Sequence, residues 1–293
     1  MEGAPASEIA RLPEDLLSAS ISRTTPRDAY RVAVVSRAFH TAADTDAVWA
    51  SFVPHDLPPF ADGELPPAPL SKKELFLLLS AGPLLLSDRL MSMWLDRESG
   101  SKCYMLSARA LHIVWGDTPE YWDWIALTDS RFAEGAELRD VCWLEIRGRI
   151  NTEMLSPNSN YAAYMVFKIA DDFYGLDRPP QEASVSLGGR ESRRKVCVQS
   201  YDNEGQVPAN YLPISPLMQR TTRRRNGRLV PAEENVTIPH RRADGWMELE
   251  MGEFFNEEGE GGEASFCLME TIGGNWKRGL IVQGIEIRLK KSV

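Results

Sequence analysis

Near residue 102 the hydrophobic rhythm of this chain switches from a helical spacing to strict alternation, and that switch bounds what it can fold into. Cys142, Leu144, Ile146 and Ile150 alternate with Trp143, Glu145, Arg147 and Arg149. Tyr161, Ala163, Met165, Phe167 and Ile169 alternate with Tyr164, Val166 and Lys168. Val196 and Val198, then Met247, Leu249 and Met251, then Phe266 and Leu268, then Ile281, Ile285, Ile287 and Leu289 mark further runs of the same kind. Short half-buried strands separated by turns predict an antiparallel β-sandwich. No long amphipathic helix comes between them, which disfavours a doubly wound α/β sheet. The stretches 171–194 and 202–244 are polar and rich in Pro, Gly and Arg, and are expected to be long loops.

The N-terminal region follows the other period. Residues 7–52 predict three short helices. Pro13 suits the first turn of one, and Leu12, Leu16, Leu17 and Ile21 give it an apolar side. Thr25-Pro26-Arg27-Asp28 carries a capping hydroxyl, a proline at the first helical position and an acid in the first turn. The helix it starts is expected to place Ala29, Val32, Ala33, Ser36 and Phe39 on one stripe, and a third helix carries Val48, Trp49 and Phe52. About fifty residues cannot bury all these groups among themselves, so some must face a partner or the second domain. Pro54, Pro58, Pro59, Pro66, Pro67 and Pro69 predict a stiff spacer without helix. A helix entered at Ser71 and stopped at Gly82-Pro83 follows, then a helical or irregular stretch through Leu90, Met91, Trp94 and Leu95. The expected division is 7–53, 54–100 and 101–293.

Among the alternating segments a single stretch stands apart. Trp115, Tyr121, Trp122 and Trp124 fall within ten residues, broken by the turn composition Gly116-Asp117-Thr118-Pro119. Two indoles brought together across a loop suit the C–H face of a sugar ring, with carboxylates accepting hydroxyl protons. The same residues also read as core or loop anchors.

Composition removes several other classes. The formal charge of −9 argues against a general nucleic-acid footprint. The basic clusters Arg193-Arg194-Lys195 and Arg220 to Arg225 read as solvated loops or as an import signal. Cys103, Cys142, Cys197 and Cys267 form no C-x-x-C pair and read as reduced small residues, and His40, His55, His112 and His240 are scattered; no metal or other cofactor is expected. The first ten residues lack a signal-peptide pattern, and Leu75 to Leu86 is too short to span a bilayer, so no membrane partner is expected. Gly259 to Glu263 reads as an acidic hairpin rather than a calcium loop, for want of alternating Asp or Asn ligands. No nucleophile elbow, P-loop or zinc spacing is present, and an enzyme is not expected.

Two resemblances add to this. Leu12-Pro13-Glu14-Asp15-Leu16-Leu17, Val34-Val35-Ser36-Arg37-Ala38-Phe39 and Val48-Trp49 resemble the F-box, the module that docks on the Skp-type adaptor of cullin-based ubiquitin ligases. The resemblance implies that Leu12, Pro13, Leu16, Leu17, Ile21, Val34, Ser36, Phe39 and Trp49 belong to that module. From about Lys102 to Arg288 the chain resembles the phloem protein two family of Nictaba-related plant lectins, through Ile113 to Asp117, Tyr121 to Trp124, Ala136 to Ile146, Ser159 to Lys168, Asp244 to Glu248 and Trp276 to Gly284. That family implies a jelly-roll-like sandwich binding N-acetylglucosamine oligomers and N-glycan cores, with its binding residues falling on Trp115, Trp122, Glu263 and Glu270. The expected whole is an α plus all-β chain: a three-helix F-box, then a jelly-roll-like lectin sandwich. Such a chain would be the non-catalytic, target-selecting subunit of an SCF-type ligase in cytoplasm or nucleus, with glycan or glycoprotein ligands. The alternatives are a stress or defence lectin without ligase coupling, and an adaptor whose sandwich binds protein targets.

Overall fold

The structure is a computed structural model that describes residues 12–199, 236–257 and 261–290. Five helices open it: α1 (Glu14–Ile21), α2 (Pro26–Ala33), α3 (Arg37–Ala43), α4 (Asp46–Ala50) and α5 (Lys72–Ala81). Thr25 caps α2, its hydroxyl accepting from the Asp28 N–H at 3.1 Å. Ser71 and Glu74 cap α5 reciprocally. The single helix expected from Pro26 to Phe39 is instead two. It stops after Ala33, because the Ser36 hydroxyl accepts the Phe39 N–H (3.4 Å) and starts α3 afresh behind the β-branched pair Val34-Val35.

The strands are β1 (Leu84–Leu85), β2 (Met91–Leu95), β3 (Lys102–Ser107), β4 (His112–Ile113), β5 (Trp122–Ala126), β6 (Glu134–Leu138) and β7 (Leu144–Asn151). After them come β8 (Ser159–Tyr174), β9 (Gln181–Leu187), β10 (Arg190–Val196), β11 (His240–Arg241), β12 (Met247–Asn256), β13 (Glu263–Glu270) and β14 (Arg278–Leu289). They form two antiparallel sheets. The larger runs β1-β2-β3-β14-β8-β12-β11, with the β5–β6 hairpin joined to β14; the smaller runs β10-β9-β13-β7-β4. Leu144, Ile146, Ile150, Val185, Phe266 and Leu268 of the smaller sheet share one core with Met165, Phe167, Leu249, Met251, Ile285 and Ile287 of the larger. A bulge at Glu250/Gly252 lets β12 cross close to β9: a Cβ on Gly252 would stand 2.8 Å from a Val185 methyl.

Two expectations change here. Met91–Leu95 is not helical but strand β2, hydrogen-bonded along β3. Its alternation is masked because both faces are covered. Met93 and Leu95 enter the main core, while Trp94 packs on a second cluster of Leu85, Met105, Phe132 and Trp246 on the outer side of the sheet. The stretch 171–194, expected as a loop, contains the end of β8, all of β9 and most of β10. The β9–β10 hairpin turns on Gly188 and Gly189, both at positive φ (57° and 78°), the geometry of a two-residue type I′ turn. Arg193 and Arg194 are strand residues paired with Glu182, Glu191 and Glu250. Most of the expected loop 202–244, with the cluster Arg220 to Arg225, lies outside the described residues, as do Gly259 and its neighbours Glu258 and Glu260.

The helices are not hung from the sandwich by a free spacer. Trp49 packs in tilted and edge-on contacts against Tyr30, Phe52 and Phe76, with 5.0, 5.7 and 5.2 Å between ring centroids. Phe76 and Leu79 of α5 continue into Leu84, Met93 and Leu95 of the sheet, and all belong to one buried cluster. Lys102, almost wholly buried, ties β3 to Asp56 of the spacer (2.7 Å), and this ion pair holds the Asp56 carboxyl below its ordinary pKa. Among the described residues no helix is long and apolar enough to cross a membrane.

Candidate functional site

The aromatic stretch forms a built turn at one end of the sandwich. After β4 the Val114 N–H still donates to Glu145 O on β7 at 3.0 Å. The chain then reverses: the Gly116 N–H donates to Ile113 O (2.9 Å), and Trp115 takes φ 59°, the left-handed region. A bulky side chain there costs on the order of 1–2 kcal/mol and persists only where its surroundings impose it. Here they do. Gly116 allows the turn to close, since a Cβ would meet Ile113 O at 3.0 Å. The Trp124 indole N–H donates to Gly116 O (2.9 Å), and the Tyr121 ring supports Trp115 at 5.0 Å. Trp115 thereby presents an indole that is 42% exposed, on a turn that cannot easily move.

The other carbohydrate residues implied by resemblance fall in different places. Trp122 begins β5 and is 2% exposed, within the main core; its indole N–H has no hydrogen-bond partner among the described residues. Glu270 ends β13 beside Leu144 and is buried. It accepts the Ile272 N–H (3.1 Å) and pairs with Lys277, which is wholly buried and donates to Asn275 O as well (2.6 Å). Glu263 starts the same strand, exposed and paired with Arg149 at 3.3 Å. Seven residues of strand separate the two carboxylates by about 23 Å at roughly 3.3 Å per residue. Trp115, Trp122 and Glu270 thus share one end of the sandwich, and Glu263 lies at the other.

Sequence reasoning assigned no role to three residues at the Trp115 end. Trp143 is exposed, and its indole N–H donates to Glu145 at 2.8 Å. Glu145, 8% exposed, is held by Arg147 as well. Trp276 is 53% exposed beside buried Lys277. Trp143 and Glu145 were readable as a same-face pair two positions apart on a strand; for Trp276 the sequence gives no such signal.

At the opposite end of the chain the F-box-like residues divide into two sets. Leu17, Ile21 and Trp49 are buried, Phe39 is half-buried, and Ser36 is a helix cap. Leu12, Pro13, Leu16 and Val34 face solvent, together with Val35. Val34 is 86% exposed, extreme for a valine beside a folded core.

Among the described residues no group of His, Cys, Asp or Glu gathers to hold a metal. Burial pushes the Cys103 thiol up to about 12, which leaves it without nucleophilic character at neutral pH.

Trp122 supplies a prediction of its own. Trp122→Ala should cost about 3–5 kcal/mol by opening the core. Trp122→Phe removes an unsatisfied donor while keeping most of the volume, and should cost far less. Urea denaturation of both variants checks this; equal destabilisation by Phe and Ala would mean that packing is not what Trp122 provides.

Residues 101–289 match the family model described as Phloem protein 2. F-box protein PP2-B10 of Arabidopsis thaliana is 43% identical over 284 residues, covering 95% of this chain and 93% of its own length. F-box protein PP2-B1 of the same plant is 42% identical over 310 residues, covering 98% of this chain and 91% of its own.

Proposed function

The chain belongs to the phloem protein 2 family, as a phloem protein 2-like F-box protein of the plant type, and from that premise we propose that it is the target-selecting adaptor of an SCF-type ubiquitin ligase. On this reading residues 7–53 are the F-box that docks on a Skp-type subunit, and the jelly-roll-like sandwich selects glycoproteins through carbohydrate. The protein performs no chemistry. It raises the effective concentration of a target beside the ligase.

The observation that carries the adaptor half is the apolar surface of Leu12, Leu16, Val34 and Val35 on a small helical unit. Each of these side chains would lose contact with water only against a partner, and hydrophobic burial is the main driving force of such docking. The carbohydrate half is supported by Trp115: an exposed indole, held in a conformation that costs free energy, backed by a second ring. Strain of that kind concentrates where a side chain must be aimed.

The test uses the full chain and a purified Skp-type adaptor. Leu16→Glu combined with Val34→Glu should weaken capture by more than about tenfold, roughly 1.4 kcal/mol, with an unchanged melting temperature. Undiminished capture by that variant sinks the adaptor reading, and no capture by the wild type leaves a lectin without ligase coupling. A glycan array on the wild type and Trp115→Ala tests the other half. A folded chain that binds no glycan would turn the sandwich into a protein-recognition module.

A further inference from the structure

We propose that the outer face of the larger sheet holds a peptide-binding cleft, which takes an extended segment carrying an apolar side chain and, farther along, an aspartate or glutamate. The inference does not depend on the carbohydrate reading. It goes beyond the adaptor reading in assigning the chain a second recognition surface.

The cleft, about 920 Å³, lies between the end of α5, the loop 128–132 and the β11–β12 turn. Its floor includes a row of five side chains. Ser92 of β2 pairs with Met105 of β3, Met105 with Glu286 of β14, Glu286 with Tyr164 of β8, and Tyr164 with Glu250 of β12. Residues directly opposite one another in a sheet share a face, and all five line the cleft. Four strand spacings of about 4.8 Å make the row roughly 19 Å long, the span of five or six residues of extended peptide. Polarity is segregated along it. Trp94, Met105 and Phe132 make one end apolar and belong to the cluster on the outer side of the sheet. Glu286, Tyr164 and Glu250 make the other end polar.

At the polar end the charges are locked into a lattice. Arg242 donates to Glu286 (2.8 Å) and Glu248 (3.3 Å), and Arg288 donates to Glu248 (2.8 Å) while its guanidinium lies 3.8 Å from the centre of the Tyr164 ring. Lys290 and Arg194 donate to Glu250 (2.6 and 2.8 Å). Stability alone does not call for such a network, since apolar packing often serves as well as partly buried ion pairs. What the lattice does is hold its charges still, so a ligand orders few side chains when it binds. Each of these carboxylates already has a cation. The groups left over are donors: the second terminal nitrogen of Arg242 and the Tyr164 hydroxyl make no hydrogen bond among the described residues. They belong together, because Arg242 is bonded to Glu286, the residue directly opposite Tyr164. An incoming carboxylate accepts from both in charge-assisted bonds, whereas a lysine meets carboxylates already engaged.

The experiment exposes the full chain to an array of immobilised peptides of the form Gly-Ser-X-Ala-Ala-Ala-Z-Ser-Gly, with X and Z each run through all amino acids. Three alanines put X and Z on the same side of an extended chain, about 13 Å apart, close to the three strand spacings from β2 to Tyr164. The wild type should favour Leu, Ile, Met or Phe at X and Asp or Glu at Z. The best peptide is then titrated in solution by fluorescence anisotropy. Tyr164→Phe removes one hydroxyl and should weaken it about fivefold or more, the size of a lost hydrogen bond to a charge, with an unchanged melting temperature. The same peptide with alanine at Z should lose less than about twofold. Arg242→Lys, which keeps the charge but not the forked donor, should act in the same direction as Tyr164→Phe. No preference at Z, or a preference there for Lys or Arg, overturns the inference. So does a Tyr164→Phe variant that binds the selected peptide as the wild type does. None of these outcomes bears on adaptor capture or on the glycan array.

Discussion

Trp49→Ala is expected to lower the melting temperature by about 10 °C or more, and to do so for the whole chain rather than for the helices alone. The indole is 1% exposed and donates to Ala43 O at 2.8 Å. Its removal opens a cavity among Tyr30, Phe52 and Phe76 and leaves a buried carbonyl unpaired. Large-to-small changes of this kind cost about 3–5 kcal/mol, a large share of the roughly 5–15 kcal/mol that holds a typical domain. The effect should spread because Phe76 belongs to the core that continues into the sheet. Thermal melts followed by far- and near-ultraviolet circular dichroism check this. A melting temperature within a degree or two of the wild type would show that the helical unit does not depend on this residue. On the adaptor reading proposed above, the same result would separate two ways of losing capture: Trp49→Ala through unfolding, Leu16→Glu with Val34→Glu through the surface alone.

Gly284→Ala is expected to be at least as damaging, for a reason unrelated to cavity formation. Gly284 follows a bulge in β14 and pairs with Ser107 of β3 on one side and Val166 of β8 on the other. A Cβ at this position would fall far inside van der Waals contact with the carbonyl oxygen of Leu106. The obstacle is backbone in the middle of the larger sheet, so no rotamer change relieves it and β3 must move. Overpacking in cores usually costs about 1–3 kcal/mol, and this case should lie at or above that range. Gly82→Ala is the control: nothing stands within 4 Å of its added methyl, and its backbone is extended. That variant should stay within about 0.5 kcal/mol of the wild type. Urea titration of the pair checks both, and equal midpoints would mean that the bulge can absorb a side chain.

What the sequence revealed, and what it hid, follows from which residues see two environments. The alternation of Leu144, Ile146 and Ile150 with Arg147 and Arg149 was legible because β7 has one dry face and one wet face. Met91–Leu95 was not, because Trp94 is covered on the outer side as Met93 is on the inner. The β9–β10 hairpin was hidden by its charge: Glu191, Arg193 and Lys195 alternate outward on an edge strand and read like a polar loop, although Gly188-Gly189 signalled the turn. The Ser36 break in the helical stripe was a capping signal set within an otherwise unbroken helical spacing. At the candidate site, residue type was legible and exposure was not. Trp115 and Trp122 differ in fate because one sits in a left-handed turn and the other starts a core strand. The carboxylates Glu263 and Glu270 resemble each other in composition only; an extended strand separates them.

The shared core between the helices and the sandwich has a mechanical consequence. On the adaptor reading proposed above, a target bound at the Trp115 end would be carried on a stiff bracket rather than on a tether. Its encounter with the ligase would then be governed by shape, since no slack linker averages over orientations. Selection becomes steric as well as chemical: among proteins bearing an acceptable ligand, those whose acceptor lysines project across a fixed gap would be modified, and the rest would be held without consequence.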